Sequence, residues 1–240
     1  MKPLHRQVVV RAGAGEAFHA FTELIGSWWP MENHSVYGTG SVAAFRDGKL
    51  IETGPDGEES VWGTILAWEP PRLIELTWHP GRAAADAGEV RVSFEPVTEK
   101  QTMVTVTHSG WQSLAQRDNY KNGWPAVLGS LASRFSASPD GDEPVWLVLQ
   151  HTAGVERPME HPGFAGHPAF LSRLQDRGVL VAAGPFPGSG GEGMTIVRVP
   201  ASGAASLVTE AGIEDSSVAS GILEVRVRPW HVVSRGSSIP

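Results

Sequence analysis

Four segments between residues 61 and 108 alternate apolar and polar side chains with a period of two, separated only by short breaks. SVWGTILAW sets Trp62, Thr64, Leu66 and Trp68 against Val61, Gly63, Ile65 and Ala67. PRLIELTWH puts Ile74, Leu76 and Trp78 on one face and Glu75, Thr77 and His79 on the other. EVRVSFEPV opposes Val90, Val92 and Phe94 to Arg91, Ser93 and Glu95, and TMVTVTHSGW groups Val104, Val106 and His108. Successive strand side chains point to opposite faces, so this alternation calls for an antiparallel sheet covered on one side and wet on the other. HRQVVVRA adds a strand ahead of these, and AGEAFHAFTELIG a helix with Ala17, Ala20, Phe21 and Leu24 at helical spacing. In AQRDNYKNGWPAVLGSLASRF, Trp124, Val127, Leu128, Leu131 and Phe135 follow the stripe of an amphipathic helix. Pro125 suits a first turn and sets the expected start of its regular part there. The expectation is a curved sheet wrapped around a C-terminal helix.

The chain has 240 residues, room for two domains. SASPDGDEP, Ser136 to Pro144, is small, acidic and turn-forming. It suggests domains at 1–137 and 145–233, a linker at 138–144 and a tail at 234–240. Beyond it the order is strand (PVWLVLQHT), helix (HPAFLSRLQDRG), two strands (VLVAAGPF, MTIVRVP), helix (SGAASLVTEAG), a short helical turn (DSSVASG) and a last strand (ILEVRVRPW). That is the β-α-β-β-α-β order of a ferredoxin-like fold. Both faces of its first strand are apolar, so the sheet needs a cover, and homodimerisation through this domain is expected.

Net charge is −7, with 12 basic and 15 acidic residues up to Pro139 and 7 and 11 after it. Neither half suits a nucleic-acid backbone or an anionic membrane surface. No run approaches the ~18 apolar residues of a membrane span, and the first residues lack the apolar centre of a signal peptide. There is no cysteine, which removes thiolate chemistry and Cys-based zinc sites and fits a cytoplasmic location. The nine histidines show no HxH or HxxxH spacing beside a carboxylate, so spacing implies no metal and no cofactor. GPFPGSGGEG lacks the ending of a phosphate loop, and no G-x-S-x-G occurs.

AFTELIGSWWPMENHSV, VWGTILAWEPPRLIELTWHPG, VRVSFEPV, TMVTVTHSGWQ and YKNGWPAVL together resemble the SRPBCC, or START-like, superfamily, in its branch of heat-shock-protein-90 ATPase activator homologues. The resemblance implies a helix-grip fold with a mostly hydrophobic cavity between sheet and long helix. Seven of the nine tryptophans lie in this half, as if to line that cavity for a small apolar or aromatic molecule. The candidate ligand-binding residues are Trp28, Trp29, His34, Trp62, Leu76, Trp78, Phe94, His108 and Trp124.

The second half resembles the YCII-related domains through H-x-x-F-L-x-x-L-x-x-x-G, a strand ending in A-G-P, the D-S-S-V-A-S-G-I segment and a strand ending in R-P-W. The resemblance implies a dimeric α+β barrel fold and an enzymatic role for a His/Asp pair. His167 matches the family histidine. Asp215 matches the acidic position, although Ser216 follows where Asp-Pro is more common. His167 also continues the stripe of Phe170, Leu171 and Leu174, which turns it toward the covered sheet face or a dimer cleft. Two readings stand together. One is a cofactor-independent enzyme doing cyclase, isomerase or lyase chemistry on a small apolar molecule. The other is a carrier, sensor or chaperone-associated module dimerised by its C-terminal domain.

Overall fold

The computed structural model describes residues 1–135 and 144–233. The chain divides into two compact units, Met1–Ser138 and Pro139–Pro240. The expected linker falls outside the described residues except for Pro144, and the expected tail, 234–240, lies outside them entirely.

The first unit runs β1 (Leu4–Val10), α1 (Ala14–Thr22), β2 (Val42–Arg46), β3 (Lys49–Thr53), β4 (Glu59–Glu69), β5 (Leu73–Trp78), β6 (Gly88–Thr98), β7 (Gln101–Ser109) and α2 (Leu114–Ser133). Its seven strands form one antiparallel sheet in the order β1-β7-β6-β5-β4-β3-β2. Val90, Val92, Phe94, Val104 and Val106 are buried together with Phe18 and Phe21 of α1 and Trp124, Val127, Leu128 and Leu131 of α2. The alternating face read from the sequence is therefore the one beneath the helices. The pairing of β4 slips by one residue twice, against β3 beside Trp62 and against β5 between Ile65 and Ala67, so Thr64 and Leu66, expected on the face of Trp62, are exposed. Gly63 lets β5 come close: a Cβ there would lie 1.8 Å from the Thr77 carbonyl oxygen.

Two expectations need correcting. The hairpin β2–β3 was not anticipated, although Asp47-Gly48 at its tip has the positive φ values, 50° and 71°, of a type I′ turn. The C-terminal helix does not begin at Pro125. It starts at Leu114, where Ser113 accepts a hydrogen bond from the Gln116 amide at 3.1 Å, and Pro125 lies inside it. Proline has no N–H to offer the Lys121 carbonyl one turn earlier. The Arg6 guanidinium from β1 donates to that carbonyl instead, from Nε at 3.2 Å and Nη2 at 3.1 Å.

The second unit runs β8 (Pro144–Ala153), α3 (Gly166–Asp176), β9 (Leu180–Pro185), β10 (Gly193–Pro200), α4 (Ala204–Ile213), α5 (Ser216–Ala219) and β11 (Leu223–Pro229). Its four strands form a second antiparallel sheet in the order β11-β8-β10-β9. Leu147, Leu149, Val197, Val227, Phe170, Leu174, Leu207 and Val208 are buried. No helix among the described residues is long and apolar enough to cross a membrane.

Candidate functional sites

In the first unit a pocket of about 180 Å3 is lined by Trp29, Asn33, His34, Ser35, Val36, Trp62, Trp78, Pro80, Tyr120, Gly123, Trp124 and Val127. Four indoles dominate it. Trp29 follows the turn after α1, Trp62 comes from β4, Trp78 ends β5, and Trp124 faces them from α2. Their rings lie edge to face or tilted, with centroids 5.1 Å (Trp29–Trp62), 5.3 Å (Trp78–Trp124) and 5.9 Å (Trp62–Trp78) apart. Three of the four N–H groups are engaged. Trp29 donates to the His34 carbonyl at 2.6 Å, Trp62 to Glu52 at 2.8 Å and Trp124 to His108 Nδ1 at 3.1 Å. Trp78 Nε1 is buried without a partner among the described residues.

Five of the nine proposed ligand residues, Trp29, His34, Trp62, Trp78 and Trp124, thus stand on the pocket wall, and the other four stand behind it. Trp28 packs on Phe21 and donates to the Ala20 carbonyl at 2.7 Å. Leu76 is buried in the core, and Phe94 packs against Phe18 and Phe21. His108 supports the wall. An indole N–H only donates, so His108 Nδ1 must accept from Trp124 and carry its own proton on Nε2, which has no partner among the described residues. Burial, with the Arg82 charge as a smaller cause, pushes its pKa down to about 3, so the ring stays neutral.

Glu52, a residue with no signal in the sequence, holds the pocket's entrance loop. Its buried carboxylate accepts from the Val36 amide at 2.8 Å, the Tyr37 amide at 2.9 Å and Trp62 Nε1 at 2.8 Å. Burial pushes its pKa up, but the two amides, with the Ser41 and Trp62 side chains, outweigh that and bring it below the ordinary value.

In the second unit His167 stands in the first turn of α3 and Asp215 just ahead of α5. His167 Nδ1 lies 2.7 Å from Asp215 Oδ2. The other carboxylate oxygen accepts from the Ser217 amide at 3.0 Å and caps α5. Ser217 Oγ accepts from the His167 amide at 2.9 Å and donates to the Gly163 carbonyl at 3.0 Å, which ties α3 to α5. Gly166 makes this approach possible, since a Cβ there would lie 1.9 Å from Ser216 Oγ. Asp215 is fully buried and the His167 side chain is 13% exposed. With Nδ1–H donated to the carboxylate, the lone pair of Nε2 is left for a base or a ligand.

A third residue, His151 of β8, joins this pair, with its ring centroid 4.5 Å from that of His167. It was not anticipated, because it lies 16 residues before His167 and belongs to no motif. Strand alternation was the available signal: His151 shares its face with the buried Leu147 and Leu149. Burial first, then the neighbouring His167 charge, lowers its pKa to about 4, against a smaller upward pull from Asp215.

Residues 11–136 match the family model described as Activator of Hsp90 ATPase homolog 1-like protein (AHSA1). The chain belongs to this family. The AHSA1-like unit is an SRPBCC-superfamily domain within a mixed α+β chain. Several solved structures are similar to this chain. An HSP90 activator from Plasmodium falciparum is 18% identical, with 56% of this chain and 96% of that one covered and a TM-score of 0.43. The Aha1 dimer from Colwellia psychrerythraea, a solution structure, is 17% identical over 58% and 100%, with a TM-score of 0.41. The self-sacrificing resistance protein CalC from Micromonospora echinospora is 23% identical over 56% and 94%, with a TM-score of 0.45. No curated protein matches the chain.

Proposed function

We propose that the AHSA1-like unit binds a small aromatic molecule that carries a hydrogen-bond acceptor. The observation behind this reading is the pocket of about 180 Å3 between four indoles, one of which, Trp78, has an N–H without a partner among the described residues. A dry apolar cavity of about 150 Å3 admits a benzene ring, so a single substituted ring is the matching size. An acceptor on the ligand would satisfy the Trp78 N–H, which otherwise stays buried at a cost of about 1–3 kcal/mol. His34 at the wall offers a second polar contact. The test titrates the full chain with phenol, benzoate and toluene and follows tryptophan fluorescence. Trp78→Phe keeps the ring and removes the N–H, so it should weaken the oxygen-bearing ligands more than toluene. Equal weakening of all three, or no response to any, ends this reading.

We also infer that the second unit is a YCII-related, ferredoxin-like domain in which His167 acts as a general base held by Asp215. In support, the strand order β11-β8-β10-β9 is fourth-first-third-second within that unit, and the His167–Asp215 contact is 2.7 Å. The carboxylate favours the tautomer with the proton on Nδ1 and a basic Nε2. Nitrogen-15 NMR of the His167 ring reads this directly; a proton resident on Nε2 at neutral pH contradicts the reading. The sheet face away from the helices carries Val148, Met194 and Ile196, all half-buried, with Trp230 packed on Trp146 at 5.9 Å between centroids. A second copy of the chain is the cover proposed for this face.

A further inference from the structure

We propose that His151, His167 and Asp215 form a binding site for one divalent first-row transition ion of the zinc class. One nitrogen from each imidazole and one carboxylate oxygen lie within 4.8 Å of one another. The three residues come from β8, α3 and the residue capping α5, so only the tertiary fold assembles them. His151 is 4% exposed and Asp215 is fully buried. His151 Nδ1 is buried and has no hydrogen-bond partner among the described residues, and its other nitrogen is 3.4 Å from Thr195 Oγ1. A histidine serving only as a structural bridge would engage both nitrogens; this one has a nitrogen to give.

The donor set selects the ion. Two neutral imidazoles and a carboxylate, without sulfur, suit zinc and its first-row neighbours, whereas calcium and magnesium prefer an all-oxygen shell. Around an ion with ligands at about 2.0–2.2 Å, the donors would stand about 3.5 Å from one another. His167 Nδ1 and Asp215 Oδ2, now 2.7 Å apart, would open by about an ångström, and no pair of donors starts more than 4.8 Å apart. The 2.7 Å His167–Asp215 hydrogen bond is the metal-free form of the same cluster: a proton now lies between donors that would otherwise share a cation. Asp215 is already oriented by the Ser217 amide on its other oxygen. His151 and Asp215 make the buried floor, and the partly exposed His167 marks the edge where the ion enters. Three protein ligands leave a position there for water or substrate, the arrangement of a catalytic rather than a purely structural site.

This proposal shares its residues with the acid–base reading but not its chemistry, and direct metal binding separates the two. The full chain, stripped with chelator, is titrated with Zn2+ by calorimetry and with Co2+ by visible absorption. One ion per chain is expected, with the strong visible bands of four- or five-coordinate Co2+. His151→Gln and Asp215→Asn should weaken binding by at least the ~10–100-fold that losing an outer-sphere partner alone costs. His19→Gln, an exposed histidine on α1, should leave affinity unchanged. As a readout independent of variant folding, Co2+ should selectively shift the ring signals of two histidines, His151 and His167, in NMR of the unaltered chain. Zn2+ affinity equal in the unaltered chain and His151→Gln, paramagnetic shifts on exposed histidines instead, or the weak spectrum of six-coordinate aqua Co2+ would each overturn the site. The nitrogen-15 tautomer of metal-free His167 remains a separate test of the dyad.

Discussion

Replacing Glu52 by glutamine should destabilise the first unit and loosen its pocket, although the two side chains have the same shape. The carboxylate accepts three hydrogen bonds, two at Oε2 and one at Oε1. The best glutamine orientation keeps its carbonyl toward the Val36 amide and Trp62 Nε1. Its NH2 then faces the Tyr37 N–H, donor against donor. A buried donor left unsatisfied costs about 1–3 kcal/mol, and the two surviving bonds lose their charge assistance. The sum is a loss of about 2–4 kcal/mol. Urea unfolding of the full chain at pH 7, followed by tryptophan fluorescence, reports mainly this unit, because seven of the nine tryptophans belong to it. The loss should also depend on pH. The folded pKa of Glu52 is depressed, so its stabilisation is present above the ordinary value of 4.5 and disappears as pH falls through the lower folded value. Unaltered and variant chains should therefore converge in acid. A difference below about 0.5 kcal/mol at pH 7, within the range of an ordinary surface substitution, would refute the clamp. So would a larger difference that stays constant down to pH 3.

The Arg6–Pro125 arrangement predicts a coupled pair: Arg6→Ala should cost about 1 kcal/mol in the natural chain and less in a Pro125→Ala background, where a new amide N–H serves the Lys121 carbonyl. Additive effects in that double-mutant cycle would show that Arg6 does not replace the missing donor. His108→Phe should remove the acceptor for Trp124 Nε1 and lower stability by about 1–3 kcal/mol, while the unaltered chain shows no titration of His108 between pH 5 and 8 by NMR, given its pKa of about 3. Limited proteolysis should cut first between Ser136 and Pro144 and leave fragments near 1–137 and 145–233; a first cut inside either unit contradicts that division. Sedimentation of the full chain at micromolar concentration should show a dimer, and Ile196→Asp should shift it toward monomer; a monomer in the unaltered chain removes the proposed second copy from the open sheet face.

The strands of the first unit were legible because burial on one face of a sheet imposes a period of two, which β6 keeps from Gly88 to Glu95, whereas β7 is buried on both faces from Thr102 to Val106. β4 loses it just after Trp62, because its slips beside Trp62 and between Ile65 and Ala67 depend on how β3 and β5 pair and leave no local mark. The start of α2 was misplaced for a related reason. Pro125 obeys a local rule for first turns, but a guanidinium 119 residues earlier in the chain makes it tolerable in a helix interior. The resemblance to the YCII-related domains singled out His167 and Asp215, and the stripe of Phe170, Leu171 and Leu174 separately turned His167 inward. The contact of His167 with Asp215 across 48 positions had to wait for α3 and α5 to pack together.

What the amino-acid order determined by itself was which residues turn inward: indoles and branched aliphatics on one strand face, His151 beside Leu149, the stripe of α2. What the tertiary structure decided was which inward residues meet. Glu52 finds two backbone amides and an indole, and backbone amides carry no residue identity that a sequence pattern could reveal. His151 meets His167 and Asp215 because the sheet places β8 beneath α3 and beside β11. Periodicity specifies a face because it follows from the geometry of a single chain. The partner across that face depends on strand order and loop closure, which bring together groups tens of residues apart and leave no regular spacing behind.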